Sequence, residues 1–356
     1  MSQFESIHIQ GFRRLVDVNL KLRPLMVMIG ANGCGKTSLL NAWQLLAALS
    51  DGKLADMLSS LGGFNEVMTR QHAGGEPTKS MSFQVRLKKP ACEYSIRLLP
   101  LGAWAYYLED ELSSIDFEPR PNSSGTDPFP SESCLSHTRG GQGAELRETL
   151  SSQFFASSFD VEEMRRPQSI RPSQLPGARG DLLVSCLYSM RETDRDRFAV
   201  VEDTLRAAFP DFERLEFPPV AAGMLAMAWK DRQFTQPIYM NQFSEGTLRF
   251  LWLTALLLSR DLPPVTLIDE PEVSLHPELL SVLADCMREA SQRTQLIVAT
   301  HADRLVRFLT PEEVVVLDME DGATKATRAD ELDLEEWLSE YTLDQVWQHG
   351  RMGGRS

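Results

Sequence analysis

The sequence predicts an α/β fold, in which a mostly parallel core sheet is flanked by helices and joined by an antiparallel β lobe and a helical and loop insertion. The first observation is that the last third of the chain alternates helices with strands: helix 246–259, strand 265–268, helix 277–291, strand 295–299, helix 302–308 and strand 313–317. Such alternation is typical of a parallel sheet covered by helices. The second is that residues 81–112 contain three short segments of strand-like pattern: 83–87, 94–98 and 104–108.

The N-terminal part of the chain predicts three strands and a helix. Residues 6–9 and 16–22 alternate like strands on either side of a turn at Gly11. Residues 25–29 form a short continuous apolar run, which suits a buried strand, and a helix-like stretch follows at 37–49. We therefore expect a strand, a glycine-containing turn and a helix in direct succession.

The middle of the chain has weaker signals. It predicts a helix at 195–208 and strands at 224–229 and 237–241. Proline and serine are dense at 119–133 and 167–180, and such composition is typical of surface loops.

The bulk composition bounds the class of protein. The chain has 356 residues, of which 42% are hydrophobic and 24% are charged, as in ordinary globular proteins. No apolar run approaches the length of a membrane span and no secretory signal is visible, so we expect a cytoplasmic protein with no membrane partner. The five cysteines share no metal-ligand spacing, which favours reduced thiols. The net charge of −14 argues against a protein that coats nucleic acid, although it does not exclude one basic face.

A phosphate-binding motif follows the predicted buried strand. Eight residues match the pattern G-x-x-x-x-G-K-[ST]: Gly30-Ala31-Asn32-Gly33-Cys34-Gly35-Lys36-Thr37. Glycines allow a tight loop whose N–H groups surround a phosphate at the positive end of the helix. Lys36 would reach the β- and γ-phosphate oxygens, and Thr37 would offer its hydroxyl to Mg²⁺. ATP and Mg²⁺ are thus the predicted cofactors, and the predicted nucleotide-binding residues of this loop are Gly30, Asn32, Gly33, Gly35, Lys36, Thr37 and Ser38.

Two adjacent carboxylates end another predicted strand. The apolar segment 265–268 is followed directly by Asp269 and Glu270. An acidic pair alone is usually solvated surface, but a pair that ends a buried strand in a chain with a phosphate-binding loop has a different meaning. Asp269 is the predicted ligand of the Mg²⁺ shell, and Glu270 is predicted to orient and deprotonate the attacking water.

Three further blocks carry a family resemblance. They are Asp269-Glu270-Pro271-Glu272 with Ser274-Leu275-His276-Pro277, then Phe243-Ser244-Glu245-Gly246, and finally Ala299-Thr300-His301-Ala302. With the phosphate-binding loop they resemble the Walker B and D-loop, signature and switch-histidine segments of ABC-type P-loop ATPases. Within that class the chain resembles the RecF-like, SMC-like and OLD-like branch, often described as AAA-family ATPases. The resemblance covers roughly residues 4–75 and 236–318 and is weak between them.

The resemblance implies an ABC-type head that works as a closed homodimer. In this family the helix that begins at Ser244 and Gly246 caps the γ-phosphate bound by the other subunit, as the N-terminus of a helix favours an anion. Two ATP molecules would then lie in composite sites, each between Lys36 of one subunit and Ser244 of its mate. His301 would contact the γ-phosphate, which makes Lys36, Glu270 and His301 the expected catalytic residues.

The same resemblance predicts the domain organisation. Residues 1–75 and 236–320 would form the nucleotide-binding core, 76–235 an inserted β-rich and helical or loop region, and 321–356 an acidic C-terminal tail helix. In that tail Leu334, Trp337, Leu338 and Tyr341 fall at helical spacing. They predict either a docking helix for a partner or a helix packed on its own domain.

Other assignments rest on position alone. Gln71 is the nearest candidate for the family's glutamine loop, where it would contact the metal. Phe12 or Arg13 would pack on adenine, unless the two residues simply form a turn. Cys34 is either an oxidisable thiol beside Lys36 or a small filler residue. A locally basic stretch is either a contact for nucleic acid or an acidic partner, or a solvated loop: Arg165, Arg166, Arg171 and Arg179.

The absent features narrow the function. Lys36 and Ser244 are roughly two hundred residues apart without heptads, which argues against an SMC-like arm. Only about 55 residues follow His301, too few for the TOPRIM nuclease domain of OLD-family proteins. We therefore expect an ATP-gated dimeric switch that controls a separately encoded effector, such as a nuclease, as in stand-alone ATPases of bacterial anti-phage defence, or in DNA maintenance. The alternatives are a RecF-like DNA clamp and, less favoured because the middle region is strand-rich, a transporter ATPase subunit.

Overall fold

The computed structural model describes residues 4–70, 78–102, 105–113, 130–157, 159–221 and 223–354. The strands are Phe4–Phe12 (β1), Leu15–Lys21 (β2), Leu25–Ile29 (β3), Met81–Lys88 (β4), Ala91–Leu101 (β5), Ala105–Ser113 (β6), Gln153–Ala156 (β7), Gln168–Ser169 (β8), Phe212–Glu216 (β9), Pro219–Ala221 (β10), Met224–Leu225 (β11), Ala228–Asp231 (β12), Ile238–Tyr239 (β13), Val265–Asp269 (β14), Gln295–Ala299 (β15), Val314–Glu320 (β16) and Ala323–Arg328 (β17).

The α-helices are Lys36–Ser50 (α1), Leu54–Ser60 (α2), Phe64–Val67 (α3), Gly141–Ser151 (α4), Val161–Met164 (α5), Leu183–Thr193 (α6), Arg195–Ala208 (α7), Glu245–Leu257 (α8), Leu279–Ser291 (α9), Asp303–Val306 (α10), Glu335–Leu338 (α11) and Leu343–Gln348 (α12). Short 3₁₀ helices cover Cys134–His137, Met240–Gln242, Pro311–Glu313 and Ala329–Glu331. Within the described ranges, no helix combines the length and the apolar character needed to cross a bilayer.

A six-stranded sheet, in the order β17-β16-β3-β15-β14-β7, forms the central layer. From β16 to β7 all neighbouring strands are parallel, and β17 pairs antiparallel with β16. In register, Ala299 lies beside both Met28 and Asp269. The carboxyl ends of β3, β15 and β14 therefore meet at one edge, where side chains distant in sequence come together.

Two hydrophobic cores lie on the two faces of this sheet. Along β3, Leu25, Val27 and Ile29 contact one core, whereas Met26 and Met28 contact the other. Helices α6 to α9 contribute to the first core, and α1 with the antiparallel strands contributes to the second. Because β3 is buried on both faces, every position of this strand is apolar.

The second large sheet is antiparallel, with five strands in the order β2-β1-β4-β5-β6. Ile7 and Ile9 of β1 are fully buried against the second core, while His8 between them faces outwards beside Gln84 of β4. This alternation of buried and polar positions is the pattern that predicted the β lobe. The predicted fold class, a mostly parallel sheet with helices and an antiparallel lobe, is confirmed.

Several predicted elements have the observed bounds. They are the strand at 25–29, the helix at 195–208 and the strand at 295–299, which correspond to β3, α7 and β15. The three strands predicted within 81–112 are β4, β5 and β6.

The middle region differs from the predicted insertion. Strand β7, which lies within 76–235, pairs in parallel with β14 and so belongs to the central sheet. Part of the predicted loop 167–180 is also structured, since Gln168 and Ser169 pair with β11 and Gln168 is buried. Both strands are short and depend on distant partners, so local composition did not predict them. Most of the other predicted loop, 119–133, lies outside the described residues.

The predicted tail helix over 321–356 is wrong in its extent. Residues 323–328 form β17, which pairs with β16 across a turn at Asp321 and Gly322, both with positive φ (48° and 78°). An Asp-Gly pair between strands favours a tight hairpin. Two short helices, α11 and α12, follow the hairpin, and Leu334 and Trp337 contact the first core. Of the two alternatives for this segment, the structure favours packing on its own domain.

Candidate functional site

The phosphate-binding loop connects β3 to α1 and depends on three glycines. Gly30, Gly33 and Gly35 have φ values of 149°, 79° and 112°, which L side chains rarely adopt. A Cβ on Gly30 would lie 2.2 Å from the carbonyl oxygen of Leu317, and one on Gly35 would lie 2.5 Å from Oγ1 of Thr324. A Cβ on Gly33 would meet nothing within 4 Å. The loop is therefore packed against β16 and β17 on one side and open on the side where a phosphate would lie.

Lys36, the first residue of α1, is held inside this loop. Its Nζ donates hydrogen bonds to the carbonyl oxygens of Gly30 (2.5 Å) and Ala31 (2.9 Å) and lies 3.6 Å from Sγ of Cys34. Burial lowers the pKa of Lys36, while Cys34 and the carboxylates of β14 act in the opposite direction. The next residue, Thr37, is exposed on the same turn.

The carboxylates Asp269 and Glu270 lie at the carboxyl end of β14. Burial, followed by the neighbouring charge of Glu270, raises the pKa of Asp269 to about 6. Glu270 has a left-handed backbone with φ 50°, and its N–H donates to the carbonyl oxygen of Ala299 at 2.8 Å. A carboxylate that is costly to ionise in the free protein is suited to a site that takes up a cation.

His301 follows β15 and lies next to this carboxylate pair. Its Nε2 is 3.5 Å from Oε1 of Glu270, and its backbone N–H donates to Oε1 of Glu272 at 3.2 Å. Burial and the charge of Lys36 lower the pKa of His301, whereas a hydrogen bond to the backbone of Gly30 acts to raise it. The structure thus brings Lys36, Glu270 and His301 to one edge of the sheet.

The signature segment begins α8 and packs on the D-loop that follows Glu270. Ser244 caps the helix by accepting a hydrogen bond from the N–H of Thr247 at 3.1 Å. A Cβ on Gly246 would lie 2.3 Å from the carbonyl oxygen of Ser274. Ser274, with φ 64°, donates from Oγ to Oε1 of Glu245 at 2.6 Å. This close approach requires glycine at position 246, and it fixes the start of α8 to the D-loop.

Arg249 is a site residue that the sequence did not indicate. It is one turn into α8 and buried, and its guanidinium donates a 2.6 Å hydrogen bond to the carbonyl oxygen of Glu270. Burial lowers the pKa of Arg249, while Glu272, Glu245 and the β14 carboxylates act to raise it. The guanidinium also lies 4.6 Å from the ring centre of Phe159. No sequence pattern indicated Arg249, because its contact with Glu270 joins residues 21 positions apart.

The turn between β1 and β2 separates the two candidates for adenine contact. Phe12 is fully buried and packs edge-on against Phe83 at 5.6 Å, so the prediction that it packs on adenine is wrong. Arg13, half-buried with φ 52° and a pKa lowered by burial, lines a cavity of about 430 Å³. Thr324 joins this turn to the phosphate-binding loop, because it bonds the carbonyl oxygens of Arg14 and Cys34 at 2.8 Å each. Arg13 stays a prediction, and Gln71 lies outside the described residues.

The basic stretch is largely neutralised within the chain. Arg165, Arg166 and Arg179 pair with Glu162, Glu163 and Asp160 respectively. Arg165 also donates to the carbonyl oxygen of Phe243, the first residue of the signature segment. These pairings favour the solvated-loop alternative over a contact for nucleic acid.

The donor set fits a nucleoside triphosphate with Mg²⁺. Backbone N–H groups of the loop and the ammonium of Lys36 suit phosphate oxygens, while the Thr37 hydroxyl and the Asp269 carboxylate are hard oxygen ligands of the kind that Mg²⁺ prefers. Asn32 and Gly33 are exposed on the open side of the loop, and Ser38 is partly buried on α1 behind it.

Comparisons with known proteins agree with this geometry. Residues 25–307 match the model of a family described as "AAA domain, putative AbiEii toxin, Type IV TA system". An OLD nuclease of Thermus scotoductus is 27% identical over 401 aligned positions, which cover 98% of this chain and 67% of that protein.

Solved structures of SMC heads share the fold. A head bound to the C-winged helix domain of ScpA has a TM-score of 0.61 at 16% identity, covering 92% of this chain and 99% of that chain. An SMC head from Thermotoga maritima gives 0.52 at 12% identity, covering 92% and 98%. A head with an extended coiled coil from Pyrococcus furiosus, bound to the C-terminal domain of ScpA, gives 0.57 at 15% identity, covering 99% and 100%.

Proposed function

The chain belongs to the AAA-domain family whose model it matches, within the ABC-type P-loop branch that includes RecF, SMC and OLD proteins, and from this premise we propose that it binds and hydrolyses ATP as a dimeric switch. The switch would control a separately encoded effector protein. Anti-phage defence and DNA maintenance are the settings that this architecture favours, by analogy with the branch.

One observation supports the ATPase proposal above the others. Three neighbouring parallel strands, β3, β14 and β15, end at one edge of the sheet and bring together Lys36, Asp269, Glu270 and His301. There Glu270 lies 3.5 Å from the His301 ring. Their charges influence one another: Asp269 and Glu270 oppose the lowering of the Lys36 pKa by burial, and Lys36 opposes the raising of the Asp269 pKa by burial. Ionisable groups with shifted pKa values around an open phosphate loop are typical of a catalytic site.

Each of these residues has a distinct task in the proposed reaction. The loop N–H groups and Lys36 bind and orient the phosphates, and Lys36 leaves the carbonyl oxygens of Gly30 and Ala31 to do so. Mg²⁺, when bound by Thr37 and Asp269, supplies positive charge to the phosphate oxygens. Glu270 accepts the proton of the attacking water. His301, which contacts both Glu270 and Gly30, would sense whether the γ-phosphate is present.

The signature half of the site would come from a second copy of the chain. Ser244 and Gly246 begin a 13-residue helix whose first N–H groups favour an anion. Each chain has one phosphate-binding loop and one signature segment, so two copies arranged head to tail would complete two sites. The D-loop contact between Ser274 and Glu245 would place Val273, which is exposed, at the seam of this homodimer.

A mixing experiment tests the composite site. Lys36→Ala removes the phosphate contact of one half-site, and Ser244→Arg blocks the other half, so each variant alone should be inactive. In a mixed dimer one site still has both a normal Lys36 and a normal Ser244. An equal mixture should therefore recover up to about half of wild-type ATP turnover, because each mixed dimer has one working site of two. If Ser244→Arg alone hydrolyses ATP normally, the composite site is wrong.

The effector proposal rests on the kinds of protein that the chain resembles. One relative is an OLD nuclease, and two of the similar SMC heads were solved with domains of ScpA bound. Both resemblances are consistent with a head that controls a partner protein, such as a nuclease. Tagged Glu270→Gln, purified with ATP and Mg²⁺ from its native cell, should retain a stoichiometric protein, whereas Lys36→Ala should not. Recovery of nuclease-sensitive nucleic acid with no protein would contradict the effector switch.

A specific surface supports the DNA clamp as a second candidate. A cavity of about 640 Å³ lies on the outer face of the antiparallel sheet. It is lined by five basic side chains and three acidic ones: Lys21, Arg23, Arg86, Lys88 and Arg328, with Glu5, Glu93 and Glu331. If the clamp is correct, a fluorescent DNA duplex should bind with a steep salt dependence, and Lys21→Glu with Lys88→Glu should abolish that binding. Equal anisotropy with and without the two substitutions would argue against it.

A further inference from the structure

A segment near the C-terminal end of the described chain lies on the phosphate-binding loop. Residues 351–354, here named the strap, come shortly after α12 and reach the carboxyl end of β16. The N–H of Gly354 donates to Oδ2 of Asp318 at 3.1 Å. A Cβ on Gly354 would lie 2.8 Å from Cγ1 of Val316 and 3.3 Å from Cα of Gly30. The strap therefore touches the first residue of the loop from the side of the sheet.

Three anchors hold the strap in this position. Met352 is 4% exposed and belongs to the first hydrophobic core. Trp347 of α12 donates from Nε1 to the carbonyl oxygen of Gly353 at 3.0 Å. On the outer side, the guanidinium of Arg351 lies 4.5 Å from the ring centre of Trp337. These three contacts make the strap a packed element of the domain.

Glycine is required where the strap meets β16 and the loop. Gly353 and Gly354 have φ values of 75° and 74°, and a Cβ on Gly353 would lie 2.9 Å from Oδ2 of Asp318. Gly350 also has a positive φ, 73°, but a Cβ there would meet nothing within 4 Å. Gly353 and Gly354 thus share their positive φ with Gly350 and differ from it in having close neighbours, so Gly350 supplies a matched control.

Gly30, the residue under the strap, connects two groups of the candidate site. Its carbonyl oxygen accepts the 2.5 Å hydrogen bond from Lys36, and its backbone also bonds the ring of His301. Helix α12 reaches the same region from the other side, since Nε2 of Gln348 donates to Oδ2 of Asp303 at 2.8 Å, two residues after His301. The strap contacts the phosphate-binding loop, and α12 contacts Asp303, which directly follows the switch-histidine segment.

We propose that the strap is a positioning element of the nucleotide site, which fixes the backbone of Gly30 and so preorganises the loop for ATP. The proposal rests on the proposed function, that this loop binds ATP. Preorganisation lowers the entropy that is lost when a ligand binds. Because coupling between two sites is reciprocal, bound ATP must in turn stabilise the strap.

Three variants test the strap. Gly354→Val combines an unfavourable φ with contacts to Val316 and Gly30, so it should displace the strap from the loop. Gly350→Asn is the control, since asparagine tolerates positive φ and the position is open. Trp347→Phe keeps the packing but removes the donor to Gly353, and it carries the test if Gly354→Val does not fold. Thermal unfolding of each variant establishes that it is folded.

ATP turnover and hydrogen exchange are the measurements. We expect Gly354→Val to raise the KM for ATP about tenfold and Trp347→Phe about threefold, with kcat unchanged, since coupling of this kind amounts to a few- to a hundredfold. Gly350→Asn should match the wild type. In the wild-type protein, ATP with Mg²⁺ should slow amide exchange in the strap, which an anchor of purely structural importance would not show.

Two negative results have different meanings. Wild-type protein that binds no fluorescent ATP analogue would overturn the proposed function, and the role of the strap with it. Wild-type protein that binds ATP, with an unchanged KM in both Gly354→Val and Trp347→Phe and unchanged strap exchange, would overturn the role of the strap alone.

Discussion

Glu270 occupies a left-handed backbone conformation (φ 50°) that costs a non-glycine residue roughly 1–2 kcal/mol. Hydrogen bonds hold this residue from both sides: its N–H donates to Ala299, and its carbonyl oxygen accepts from Arg249. A strained residue that is fixed in this way is typical of a functional position. The conformation places the carboxylate beside His301, where a proton acceptor for water is needed.

Replacing this carboxylate with its amide tests the proposed base. Glu270→Gln keeps the size of the side chain but removes the proton acceptor, so hydrolysis should fall about 10²–10⁴-fold while ATP binding persists. Phosphate release and binding of a fluorescent ATP analogue measure the two steps. Glu278→Gln, at a strongly exposed position of the same segment (88% side-chain exposure), is the control and should hydrolyse normally. Wild-type turnover in Glu270→Gln would contradict the role of Glu270.

Lys36 is the residue whose loss should affect binding itself. In Lys36→Ala the buried ammonium that serves the phosphates is gone, and hydrogen bonds to charged groups contribute about 1.5–3 kcal/mol each. Affinity for ATP should thus fall at least about tenfold. Titration calorimetry provides the measurement, with the exposed Lys53→Ala as the control. Equal affinity in the two variants would argue against nucleotide binding at this loop.

At the scale of elements, the contact between α8 and the D-loop depends on the absence of a side chain at Gly246. Gly246→Ala would place a Cβ 2.3 Å from the backbone oxygen of Ser274, and no change of side-chain rotamer could relieve that contact. We expect a stability loss of about 1–3 kcal/mol, typical of overpacking, and impaired turnover. Denaturant unfolding checks the first and phosphate release the second. Gly141→Asn, at an open first-turn position of α4, is the control, and unaltered turnover in Gly246→Ala would show that the contact is dispensable.

Arg249 joins the signature helix to the carboxyl end of β14. Arg249→Met removes the hydrogen bond to the carbonyl oxygen of Glu270 and the positive charge near four carboxylates. We expect a loss of about 1–3 kcal/mol in unfolding free energy and a reduced kcat, because the Glu270 backbone loses one of its two supports. Arg249→Lys keeps the charge and should be intermediate. If both variants fall only in stability and keep the wild-type kcat, Arg249 has a structural role alone.

The sequence predicted the elements whose pattern is local. Strand β3 is apolar throughout because both faces are buried, and α7 carries its own N-cap in Asp194. Strand β7 has four residues and becomes a strand through pairing with β14, so no local pattern indicated it. For β17 a signal was present, the Asp321-Gly322 hairpin turn, and the acidic composition of the tail obscured it.

The candidate site was predictable to the extent that it consists of contiguous motifs. Each of these motifs lies at the end of a strand and has a known chemistry there. They are the loop glycines with Lys36, after β3, and Asp269 with Glu270, at the end of β14. Arg249, Glu272 and Gly354 contribute through contacts across the fold, to residues 21, 29 and 324 positions away respectively. Such contacts depend on tertiary packing, which residue type and spacing along the chain do not specify.

At the scale of the whole molecule, the composite site makes the oligomeric state depend on nucleotide. Glu270→Gln with ATP and Mg²⁺ should form a stable dimer, because the ATP that joins the two copies is not consumed. Light scattering coupled to size exclusion should show twice the mass of the chain with ATP and the single mass without it. Ser244→Arg under the same conditions should stay monomeric. A mass independent of nucleotide would contradict an ATP-gated dimer.

Strand β7 also limits how the middle of this protein can be exchanged. It lies at the border of the central sheet and covers the outer side of β14, the strand that carries Asp269. A chimera that replaced the whole of 76–235 without an equivalent strand would leave unpaired those N–H and C=O groups of β14 that face β7. Exposed edges of this kind recruit strands from other chains and lead to aggregation. Grafts from related proteins should therefore keep residues 153–156. An insoluble chimera that lacks them would report on the broken sheet and not on the function of the replaced region.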